Sequence, residues 1–103
     1  MGRHRGEPHT VIVAAQQGDR RATDEFARAY LPLVYNIVGR AMNGHPDVED
    51  VVQDTMLHVL RDLPTVRRPD RIRSWIGAVA VHQVGAHYQR ATTATAGLHD
   101  VPE

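Results

Sequence analysis

Between His45 and Leu63 the chain reads HPDVEDVVQDTMLHVLRDL, and this stretch most restricts what it can fold into. Val48, Val51, Val52, Leu57, Val59, Leu60 and Leu63 recur at mixed three- and four-residue spacings, the period of an amphipathic helix with one core-facing stripe. Pro46 suits a first helical position. Asp47, Glu49 and Asp50 crowd the first turn, where unpaired N–H groups and the positive end of the helix dipole favour carboxylates. What remains is an outward face of Asp50, Gln53, Asp54, His58 and Arg61. Its N-terminal half is acidic, which fits docking against a basic partner; a solvated helix face has the same composition.

The other segments are also helical or irregular. Residues 1–9 carry Gly2, Gly6 and Pro8 without periodicity and read as a tail. Thr10 is placed to cap a short helix over Val11 to Ala15, ended by Gly18. A second helix starts between Arg20 and Thr23 and carries Phe26, Tyr30, Leu33, Val34, Ile37, Val38 and Ala41 at helical spacing, stopping before Asn43-Gly44. Pro32 falls inside it and predicts a kink. Tyr30 and Tyr35 fit the packed face better than a binding surface. Thr65 to Pro69 reads as a loop and Asp70 as the N-cap of a fourth helix from about Arg71 to Arg90, with Ile72, Trp75, Ile76, Val79 and Gln83 inward. Ala91 to Glu103 is Ala/Thr-rich and has linker composition. The expectation is an all-α domain over residues 10–90, a compact bundle of about four helices.

Composition narrows the function. A chain of 103 residues supports one modest core, and with 42% hydrophobic and 23% charged residues it is an ordinary globular chain. It has no cysteine, which excludes disulfides and thiolate metal sites. No apolar run approaches the ~20 residues of a membrane span, and MGRHRGEPHT lacks a signal peptide's apolar core, so the expected location is the cytoplasm. All 12 basic residues are arginine, yet the net charge is zero. A DNA-binding role therefore needs positive charge gathered locally, or a larger partner that holds the chain on DNA.

Four segments in order resemble region 2 of the extracytoplasmic-function sigma factors of bacterial RNA polymerase. They are Gly18-Asp19-Arg20; Phe26 with Ala29-Tyr30-Leu31-Pro32-Leu33-Val34-Tyr35; Glu49-Asp50-Val51-Val52-Gln53-Asp54 running on to Leu60-Arg61-Asp62-Leu63-Pro64; and Ile72-Arg73-Ser74-Trp75-Ile76. Together they span roughly residues 11–90. The resemblance implies a domain that docks on core RNA polymerase and recognises and helps melt the promoter minus-ten element. It implies that Asp50, Gln53, Asp54, His58 and Arg61 meet the clamp helices of the largest subunit, and that an anti-sigma factor is a further partner. It also implies that the loop and fourth helix read the non-template strand and capture a base.

Arg67, Arg68, Arg71 and Arg73, four arginines within seven residues, are suited to phosphate contacts beside an unstacked base; solvated loop arginines would look the same. His82, His87 and Arg90 could meet DNA from the outward face of the fourth helix. There the chain departs from the family pattern: Ala78 and Val81 stand where many members carry arginine, His82 replaces asparagine and Ala86 replaces aspartate. These departures motivate a rival reading, a helical protein-interaction module with the sigma fold but without promoter reading. Trp75 matches the family, and its spacing favours the core over a stacking platform.

Seven histidines raise the question of a metal, but His82 and His87 lie five apart, off the i, i+4 spacing that shares a face, and His4, His9 and His99 fall in the expected tails. Catalysis has less support. Serine occurs only at Ser74, no Gly-rich phosphate loop is present, and Asp50 with Asp54 alone does not make an acid/base pair. The expectation is a non-enzyme with no cofactor, no metal and no membrane partner.

Overall fold

The computed structural model describes residues 8–100, with side chains from 9 to 92. Four helices follow one another: α1 (Pro8–Gln16), α2 (Arg20–Ala41), α3 (Val48–Asp62) and α4 (Ile72–Asp100), with 3-10 turns Leu63–Thr65 and Pro69–Arg71 between the last two. No strand occurs among the described residues. The expected all-α bundle is the architecture found.

Helix ends are set by local chemistry. α1 starts at Pro8, whose missing N–H costs nothing at a first position, so Thr10 lies within the helix and not at its cap. Gly18 ends it with φ +92°, a left-handed conformation a side chain would strain. Asp19 then caps α2: its Oδ1 accepts from the Ala22 N–H at 2.9 Å. α2 runs as one helix through the exposed Pro32 and stops at Met42, where Asn43 (φ 53°) and Gly44 (φ 68°) turn the chain. α3 begins at Val48, two residues later than Pro46 suggests, because the Asp47 N–H donates to His45 Nδ1 at 3.0 Å and the preceding residues form a turn.

Each helix buries one stripe. Phe26, Tyr30, Val34 and Val38 line α2 at four-residue steps; Val51, Val52, Thr55 and Val59 line α3; Ile72, Ile76, Ala80 and Val84 line α4 together with Gln83. The Thr55 hydroxyl, wholly enclosed, donates to the Val51 carbonyl at 2.7 Å, so no polar group is left unsatisfied there. Phe26 is at the centre, its ring 4.9 Å from that of Tyr30. α1 packs on α2, and α2, α3 and α4 pack on one another.

Several core assignments differ from the sequence reading, and on α2 Tyr35 and Ala41 are exposed. Leu57 is 62% exposed, because two residues of helix turn it about 200° away from Val59. Trp75 is half-buried, packed against the core on one side and open on the other. α4 also continues past Arg90 through residues 91–100, where Ala and Thr carry no breaker until Gly97. The remainder of the expected tails, residues 1–7 and 101–103, lies outside the described residues.

Candidate functional site

The outward residues of α3 do not share one surface. Asp50 and Gln53 border a groove of about 340 Å³ between α3 and α2, with Glu49, Leu31 and Tyr35 on its rim and Val52 and Met56 beneath. Tyr35 is thus on this groove and not in the core, at 39% exposure, and Leu31 beside it is 37% exposed. The arrangement offers an apolar floor edged by carboxylates. Such a surface accepts a helix that presents aliphatic side chains and an arginine or lysine.

Further along α3 the face turns toward α4. Asp54 Oδ2 lies 3.8 Å from Arg90 Nη2. The Nδ1 of His58 lies 2.9 Å from the Asp54 carbonyl oxygen, which can only accept, so this nitrogen carries the proton of the bond. Arg61 grips Asp62 with two bonds of 2.9 and 3.0 Å. That hydrogen-bonded pairing raises the guanidinium and lowers the carboxyl relative to their ordinary values. His58 and Arg61 border a second groove of about 410 Å³ with Asp62, Trp75, Ala78, Val79, His82 and Gln83. The open side of Trp75 faces this groove.

Arg67, Arg68, Arg71 and Arg73 are all exposed around the turns that join α3 to α4. Arg68 is engaged: its Nε and Nη2 bond the two oxygens of Asp70 at 3.1 and 2.8 Å, which holds the Asp70 carboxyl below its usual range. Asp70 does not cap α4, because the residue itself lies inside the 3-10 turn Pro69–Arg71, one position before the residue that precedes the helix. The Arg71 N–H donates to the Arg68 carbonyl at 2.9 Å, which folds the cluster back on itself.

Of the three residues expected on the outward face of α4, His82 and Arg90 are exposed. His87 turns inward: its Nε2 is 3.2 Å from Asp47 Oδ2, its side chain is 19% exposed, and its ring packs edge-on to His45 and Tyr88 at centroid distances of 6.1 and 5.6 Å. Arg90 leans to Asp54. Both side chains tie α4 to the N-terminal half of α3. Sequence spacing gave no sign of this meeting, because Asp47 and His87 are brought together only by the antiparallel packing of the two helices.

No group of three or more His, Cys, Asp or Glu side chains among the described residues is placed to hold a metal, and no described helix is long and apolar enough to cross a membrane. His4 and the side chain of His99 lie outside the described residues.

The family model described as Sigma-70 region 2 matches residues 26–93. That range takes in most of α2, all of α3 with the two turns, and α4 as far as residue 93, and leaves α1 outside. No curated protein and no solved structure matches the chain.

Proposed function

The chain belongs to the sigma-70 region 2 family, whose role is RNA polymerase binding and promoter recognition in transcription initiation, and from this premise we propose that it serves an extracytoplasmic-function sigma factor as the domain that docks on core polymerase and opens the minus-ten element. The observation that supports it is the separation of two surfaces along α3. The acidic rim at Asp50 and Gln53 lies at one end, and the arginines that follow Leu63 lie at the other, about 20 Å away at the rise of an α-helix. One rigid element thus spans a protein contact and a DNA contact.

In this reading Asp50 and Gln53 engage the clamp helices of the largest polymerase subunit from the α2–α3 groove, and Asp54, His58 and Arg61 meet them from the separate side of α3 that faces α4. Arg67, Arg68, Arg71 and Arg73 take phosphates of the non-template strand, with His82 and the open face of Trp75 close to its bases. His87 and Arg90 act by bracing α4 on α3. Extruding a base costs a few kcal/mol of unstacking, supplied by polymerase contacts and by capture of the base, with no covalent step and no cofactor. The domain works in the cytoplasm, and an anti-sigma factor would inhibit it by covering either surface.

One observation favours the second reading, an interaction module without promoter reading. Between Arg73 and Arg90 the outward face of α4 carries no arginine, and Val81 on it is 61% exposed. The two readings separate on binding of single-stranded minus-ten DNA by the chain in complex with core polymerase. Promoter reading requires binding that weakens steeply with salt, as counterions displaced by the arginines are returned. Polymerase capture without such binding would favour the module.

A further inference from the structure

Near the end of α1, the side chain of Gln16 reaches across to the turn that follows α3. Its Nε2 donates to the carbonyl oxygens of Leu63 at 3.0 Å and of Val66 at 2.9 Å, partners 47 and 50 residues away. Those two carbonyls mark the beginning and end of the turn, which the Val66 N–H closes onto Leu63 at 3.1 Å. Leu63 is anchored in the core by its own side chain, 2% exposed, whereas Val66 immediately precedes Arg67. Gln16 therefore fastens the last backbone carbonyl before the arginine cluster to a point fixed in the core. The residue type suits the task. One amide nitrogen carries two N–H donors, while a carboxylate of the same shape carries none. α1 also packs against both 3-10 turns, so the same link exists between whole elements.

We propose that Gln16 is a positioning residue for DNA binding: from a helix outside the matched family range, it fixes the backbone path from which Arg67 to Arg73 project. The proposal rests on the reading of those arginines as the DNA contact. A loop held in one geometry presents its guanidinium groups to successive phosphates without an ordering cost at each encounter.

The test compares the wild-type chain with Gln16→Met, which keeps the length and loses the donors, and Gln16→Glu, which keeps the shape and sets oxygens against the two carbonyls. Helicity and capture of core polymerase should match wild type in Gln16→Met. Amide hydrogen exchange at Val66 should rise by roughly tenfold as the turn opens more often. With core polymerase bound, affinity for a short fluorescent single-stranded DNA of degenerate sequence should fall by roughly tenfold, and the salt dependence should drop by about one phosphate contact. A residue that only stabilised the fold would change melting and leave that salt dependence intact. Wild-type binding with Val66 exchange and salt dependence unchanged in both variants would overturn the role of Gln16 alone. Absence of DNA binding by wild type would overturn the reading of the arginines and this role with it.

Discussion

Phe26 and Trp75 are both aromatic residues on inward stripes, and the structure separates them by what surrounds each ring. Phe26 is wholly enclosed, so Phe26→Ala should cost about 3–5 kcal/mol, read from urea unfolding. Trp75 has one face open on the α3–α4 groove, and Trp75→Ala should cost about 2 kcal/mol, with the remainder of its effect appearing as weaker DNA binding. Asp19 offers a third case. Asp19→Ala removes the acceptor of the Ala22 N–H and should lower stability by about 1 kcal/mol, while Asp19→Asn, which keeps an oxygen in place, should leave it near wild type. The periodicity of the sequence placed Phe26, Val34, Val51 and Ile76 in the core correctly. It misjudged Leu57 and Tyr35, because an apolar residue near a stripe and one on it differ only by the angle at which the helix meets its neighbours.

At the scale of elements, the segment from Leu63 to Arg73 carries the most chemistry, and sequence reasoning resolved it least. Two 3-10 turns replace the expected loop, because short-range bonds such as Val66 N–H to Leu63 and Arg71 N–H to Arg68 tighten the chain on both sides of Val66. If Arg68 takes a DNA phosphate as proposed, Asp70 competes with that phosphate for the guanidinium. Asp70→Asn should therefore strengthen single-stranded DNA binding by about threefold at low salt, measured by fluorescence anisotropy, with little change in stability because the pair is exposed. Acid should act in the same direction. The Asp70 carboxyl is lowered in the folded chain, so its grip on Arg68 is complete above the usual carboxylate range and is lost as pH falls through the lowered value. The two grooves beside α3 were hidden from the sequence for a related reason. Asp50 and His58 share a helical face on paper, but α2 and α4 rise on either side of α3 and divide it.

Across the whole molecule, zero net charge is reconciled with a nucleic-acid role by segregation. Carboxylates gather around the start of α3, and arginines gather after its end. The bundle keeps these regions apart and fixes their spacing. Helix order, the all-α architecture and the family were legible from periodic stripes and four motifs in order. The interior ties were not. Gln16 to Leu63 and Val66, and His87 to Asp47, join residues that only tertiary packing brings together. In the proposed function the Asp50 and Gln53 rim is the surface that meets polymerase. This assignment is tested most directly by capture of core RNA polymerase with the wild-type chain beside Asp50→Arg combined with Gln53→Ala, a pair that keeps Asp54 and Arg90 in place. The variant should fold with wild-type helicity and lose capture by at least about tenfold, the scale of one desolvated charge pair turned repulsive. Equal capture by variant and wild type would contradict it.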